Sequence, residues 1–209
     1  PNLDYPCRIV PNDRWICSVP FARGQHPEPA PHDPDSPPSR DFAFALAGEA
    51  FGALEAGWEY MVELRETPPY PETVVVGPGK VCIHLTACCS RVGYVFEAGH
   101  EAVHCLNPCN NGATFLEEAV AVAFSLKVVE KQFGRTGLDR CELSENYKRA
   151  VRLAVDVDDD VVRLGRRLRG HVGSLRKVEP ATVKELYPHA PEAIVRQILE
   201  TFPRRGPDQ

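Results

Sequence analysis

The stretch Ser90-Arg91-Val92-Gly93-Tyr94-Val95-Phe96-Glu97-Ala98-Gly99-His100-Glu101-Ala102-Val103-His104-Cys105-Leu106 decides how the chain is read. Val92, Val95, Phe96, Ala98 and Val103 recur as on a buried helix, and Ser90 stands where an N-cap belongs. Pro108 cannot continue an α-helix and pushes Asn107 toward extended geometry, so the helix should stop near Leu106. Within it lies His100-Glu101-x-x-His104, an H-E-x-x-H pattern. Residues four apart share a helix face, so the two imidazoles aim at one point, where a zinc ion can be gripped with Glu101 beside it as proton carrier. Chance would give this pattern in about one such chain in fifty, so its surroundings must carry the reading.

Downstream, Cys109-Asn110-Asn111-Gly112 has the composition of a tight turn. Thr114-x-x-Glu117 then fits a capping box, which commits Glu117 to the helix end and leaves Glu118 free to point elsewhere. The residues from Ala119 to Phe124, with Leu126, Val128 and Val129, are apolar nearly all round, as on a buried helix. A carboxylate entering such a helix is costly unless it is paired, protonated or bound to metal.

His100-Glu101-x-x-His104 followed by a glutamate on the next helix resembles the gluzincin branch of zinc metallopeptidases. The run Glu118-x-x-Ala121-x-x-Phe124 is similar to the third-ligand helix of compact members, notably the ImmA/IrrE-type peptidases that act on transcriptional regulators. Phe115-Leu116-Glu117-Glu118-Ala119 also resembles the L-N-E-G segment of gluzincin aminopeptidases. The chain departs from the compact group at Val122, where an Asn or Asp often stands. The resemblance covers roughly residues 73–130 and implies an α+β fold: a minimal zincin-like domain with a small antiparallel or mixed sheet, the H-E-x-x-H helix, the ligand helix and a helical C-terminal section. It implies Zn2+ held by His100, His104 and Glu118 with the fourth position left to water, Glu101 as the catalytic base, and a peptide or protein substrate. By the same resemblance Val81–Thr86 is the strand that binds substrate, an edge strand offering its free N–H and C=O groups to a peptide. Tyr147, His171, Tyr187, His189 and His84 are candidates for the donor that stabilises the transition state.

Bulk properties set the frame. A chain of 209 residues can bury a real core, and a net charge of −5 argues against bulk attraction to nucleic acid. No apolar run approaches membrane-spanning length and no basic-then-apolar segment opens the chain, so a cytoplasmic protein with its eight cysteines mostly reduced is expected. Three sections are expected: a Pro-rich arm over 1–40, a catalytic core over 41–135, and a helical section over 136–209 packed on that core. Phe44, Ala47, Phe51, Leu54, Trp58 and Met61 predict one amphipathic helix from Asp41 to about Leu64, about six turns long. Thr73–Val76 and Lys80–Ala87 read as strands around Gly77-Pro78-Gly79, a type II turn. Tyr147, Val151, Ala154, Val157, Val161, Leu164 and Leu168 predict a long helix capped by Ser144, with Asp156, Asp158 and Asp160 on its solvated face. Arg163, Arg166, Arg167, Arg169, Arg176 and Lys177 form a basic cluster that suits a helix end. Two short helices, after Pro180 and from Pro191, close the chain.

Two rival site models compete. Cys105 and Cys109 with the histidines would give a closed Cys2His2 structural zinc, but Cys105 points about 100° round the helix from His104. A deformylase-like site would need glycine-rich and Glu-Gly-Cys motifs that the chain lacks. The alternative from another class is a non-catalytic, zinc-stabilised regulatory or protein-binding module.

Overall fold

The computed structural model describes residues 40–53, 57–65, 71–86, 90–139, 141 and 143–203. Most of the Pro-rich arm and the pair Cys88-Cys89 lie outside the described residues. Among those described, the chain is α+β and mostly helical, with eight α-helices and one three-stranded mixed sheet. Helix α1 (Arg40–Phe51) leads to β1 (Glu59–Arg65), the hairpin β2 (Glu72–Gly77) and β3 (Lys80–Thr86), then α2 (Arg91–His104) and α3 (Phe115–Phe133). The remainder is α4 (Arg135–Leu138), α5 (Glu145–Val155), α6 (Val161–Val172), α7 (Pro180–Leu186) and α8 (Glu192–Ile198).

The expected single helix from Asp41 to Leu64 is corrected: it ends at Phe51, and its second half is strand β1. Gly52 and Gly57 both hold positive φ, 91° and 93°, which ends the helix and turns the chain. Beyond them Tyr60 and Val62 face the core while Met61 and Glu63 face the other way. A short apolar run fits either period, and pairing in parallel with β3 selects the strand. The predicted hairpin is present, with Gly79 at φ 66° as the type II turn requires. Strand order is β1-β3-β2, so β3 is central and paired on both sides. It is therefore not an edge that a peptide can join, which corrects the expectation for Val81–Thr86. On β2, the outer N–H and C=O of Val75 are already taken by the side-chain amide of Asn110, at 2.8 and 3.0 Å. This covers part of that edge.

One face of the sheet (Val81, Ile83 and Leu85) packs into the core with α1, α2 and α3. Helix α3 is the centre of that core: Leu116, Ala119, Val120, Ala121, Val122 and Val129 are fully buried. Helices α5, α6 and α8 pack around it, and Gly165 of α6 sits where a Cβ would come within 2.7 Å of Val120. The long helix expected after Ser144 is two helices. Asp160 caps α6 by accepting from the Arg163 N–H at 3.0 Å, and Asp158 accepts from the Asp160 N–H at 2.9 Å. Asp158 and Asp160 form the break, because their short side chains offer the backbone an alternative to helical bonding; Asp158 is buried, against the expectation of a solvated face, while Asp156 is exposed as expected. The basic residues are likewise employed internally. Arg169 donates to the carbonyls of Phe51 and Ala53, Arg166 to that of Ala50, and Arg167 lies over the Tyr187 ring. Among the described residues no helix is long and apolar enough to cross a membrane.

Candidate metal centre

Helix α2 begins as the sequence predicts, with Ser90 accepting from the Gly93 N–H at 3.0 Å, and ends with Cys105 as its C-cap. Its apolar face turns inward, and Gly99 is what allows α3 to come close. A Cβ there would lie 3.1 Å from the Cα of Ser125. The predicted capping box on α3 is present: Thr114 N–H donates to Glu117 at 3.0 Å, and Glu117 N–H donates to the Thr114 hydroxyl at 3.2 Å. Arg176 pairs with the other Glu117 oxygen at 2.9 Å. Glu117 is fully employed, whereas Glu118 turns toward α2.

The two histidines and Glu118 meet. His100 Nε2 and His104 Nε2 are 3.2 Å apart, Glu118 Oε2 is 3.1 Å from His100 Nε2, and Glu118 Oε1 is 3.6 Å from His104 Nε2. Two ligands about 2.0–2.1 Å from a tetrahedral zinc lie roughly 3.3–3.4 Å apart, so these atoms stand at the spacing such an ion needs. Among the described residues no fourth His, Cys, Asp or Glu joins the set. Glu118 Oε2 and His100 Nδ1 are buried without a hydrogen-bond partner; the 3.1 Å contact to His100 is not aligned as one. Buried polar atoms left in that state normally answer to something absent from the protein itself. The donor set fits zinc: two imidazoles and one carboxylate.

Charge coupling in the metal-free chain is strong. Burial draws the His104 pKa down, but the neighbouring Glu118, with Glu101 and Glu117 behind it, pushes it up to about 9. Burial acts to raise the Glu118 carboxyl, yet the His104 charge and the close contacts with both imidazoles hold it well below the usual carboxylate range. Burial raises Glu117, partly offset by Arg176 and His104. His104 and Glu118 therefore stabilise each other's charged forms. They keep 12% and 11% of their side-chain surface exposed, so the cluster meets solvent on one side.

Glu101 is buried, and the Thr73 hydroxyl of β2 donates to its Oε2 at 2.6 Å. Sequence reading missed Thr73, since nothing local ties a strand threonine to a helix glutamate 28 residues away. Tyr147, on the first turn of α5, has its ring 5.5 Å from that of His100 and stacked on Phe202. The other donor candidates lie elsewhere. His171 faces Glu185, Tyr187 and His189 pack together near Val157, and His84 lies on the sheet between Glu63 and Glu72. Cys105 is buried with its sulfur 3.6 Å from Thr73, and Cys109 bonds the Asn111 carbonyl, so neither completes a Cys2His2 set.

Comparisons with family models, with characterised proteins and with solved structures return no match, and the site is read on its own geometry.

Proposed function

We propose that the chain is a zincin-like, zinc-dependent hydrolase of peptide bonds, with His100, His104 and Glu118 as the ligands. The observation that carries this reading is the convergence of those three side chains at 3.1–3.6 Å, with Glu101 next to them on the same helix. When bound, zinc supplies a Lewis acid that polarises a carbonyl and lowers the pKa of a water. His104 would bind it as a neutral imidazole, as His100 would. Glu101, oriented by Thr73, takes a proton from the attacking water and delivers it to the leaving amine. Tyr147, whose ring lies 5.5 Å from that of His100, is the candidate to donate to the negative charge that develops on the carbonyl oxygen. Among the described residues three protein ligands converge rather than four, which favours this reading over a module that uses zinc only to fold.

The test pairs two variants of the full chain. Glu118→Ala should lose one equivalent of zinc relative to wild type. Glu101→Gln should keep that zinc and lose hydrolysis of a quenched-fluorescent peptide library by at least about 100-fold. Wild-type turnover by Glu101→Gln, or unchanged zinc in Glu118→Ala, overturns the mechanism.

A further inference from the structure

The sheet face turned away from α2 carries a second convergence of metal-ligating side chains. Register places Glu63 of β1 beside His84 of β3, and His84 beside Glu72 of β2, so the three stand in one row across the sheet. Cys82, two residues before His84, shares its face one row along. His84 Nε2 lies 3.4 Å from Glu63 Oε2, and the Cys82 sulfur lies 4.0 Å from that same oxygen. All three ligand atoms fall within 4.8 Å of one another. Cys82 and His84 are 7% and 5% exposed, and the row borders a groove of about 630 Å3 that also receives Met61, Val74 and Asn110.

We propose that Cys82, His84 and Glu63 form a second binding site for a divalent zinc-class cation, separate from the His100–His104–Glu118 cluster and independent of its function. Four observations converge on it. A thiolate and an imidazole together select a borderline-soft ion such as Zn2+ over Ca2+ or Mg2+. Ligands about 2.0–2.3 Å from a tetrahedral ion stand roughly 3.3–3.6 Å apart, so the His84–Glu63 separation of 3.4 Å already matches and the Cys82–Glu63 separation of 4.0 Å is a few tenths of an ångström longer. The other ring nitrogen of His84 lies 3.1 Å from Glu72 Oε1. A proton on Nδ1 donated to that carboxylate would leave the Nε2 lone pair for the metal and supply the outer-shell partner that ligating histidines usually have. Finally, a thiolate and a carboxylate carry two negative charges, which a divalent cation neutralises. Binding breaks the Cys82 S–H bond and forms a sulfur–metal bond, the proton passing to solvent, so affinity rises with pH. Because Glu63 and His84 come from different strands and Glu72 from a third, the ion would clip the sheet across its width.

The experiment uses the full chain, stripped with chelator and reloaded with Co2+. A thiolate-to-cobalt charge-transfer band in the near ultraviolet reports this site, because the other cluster has no sulfur ligand. The band is expected in wild type and in Glu118→Ala, and should be lost together with one equivalent of metal in Cys82→Ser. Glu63→Gln, changed at a side chain 45% exposed and therefore safe for folding, should weaken Co2+ binding at least 10-fold while far-ultraviolet circular dichroism stays unchanged. Absence of the band in folded wild type overturns the proposal. So does a band that survives Cys82→Ser, which would assign the thiolate to another cysteine. Loss of metal at the α2–α3 cluster with this band intact would count against the hydrolase reading alone.

Discussion

The two clusters of metal-ligating side chains are built by opposite means. The one between α2 and α3 rests on a four-residue helical interval and a cap, both set within a few positions of the ligands. The one on the sheet draws Glu63, Glu72 and the pair Cys82 and His84 from three strands, and only register brings them into a row. The two are back to back: on β2, Glu72 turns to the sheet cluster and the next residue, Thr73, turns to Glu101. A three-stranded sheet therefore separates two metal-ligating sets, and alternation along one strand serves both.

The largest expected effect separates them outright. His104→Ala removes an inner ligand of the helical cluster, so its metal affinity should fall by more than the roughly 10–100-fold that loss of an outer-shell partner costs. Hydrolysis should disappear with it, while the thiolate–cobalt band of the sheet cluster stays. Isothermal titration with Zn2+ reads both: one of two binding phases should vanish. Loss of both phases in a folded variant would mean that the clusters are one cooperative unit.

A smaller effect probes the strand they share. Thr73→Val keeps shape but deletes the hydroxyl that donates to Glu101. A hydrogen bond to a charged, buried partner is worth about 1.5–3 kcal/mol, equivalent to about 10–100-fold. We expect that loss in kcat, with zinc content and KM nearly unchanged, because Glu101 is mispositioned and the ligands are not. A variant with unaltered kcat would remove Thr73 from the machinery.

The same contrast explains what could be read in advance. His100, His104, Glu118 and the capping box at Thr114 were legible because each depends on neighbours within one or two helical turns. The choice between Glu117 and Glu118 leaned on the family resemblance, and the capping box now accounts for Glu117. Strand β1 was not legible, since Trp58 and Met61 continue a helical spacing begun at Phe44 and only the distant partner β3 overrides it. The central place of β3 and the reach of Thr73 to Glu101 are also non-local. Tyr147 could be proposed but not chosen, because its approach to His100 depends on how α5 packs against α3.

The break between α5 and α6 is a local feature that was nevertheless misread, and it offers the mildest test. Val157 and Val161 are both buried, so the apolar period runs through the break and hides it. The signal lay in Asp158 and Asp160, whose side chains accept from the backbone at the break. Hydrogen bonding from Arg163 outweighs burial and, with the Asp160 N–H, holds the Asp158 carboxyl below its ordinary 3.8, at about 2. A carboxyl depressed in the folded state adds stability that is complete above its unfolded value and is lost as pH falls through the folded one. Asp158→Asn should therefore lower Tm by about 2–4 °C at neutral pH. The gap from wild type should close between about pH 4 and pH 2 as Asp158 takes up its proton. A gap that stays constant down to pH 2 would show that shape at the break, rather than the charge on Asp158, holds the two helices apart.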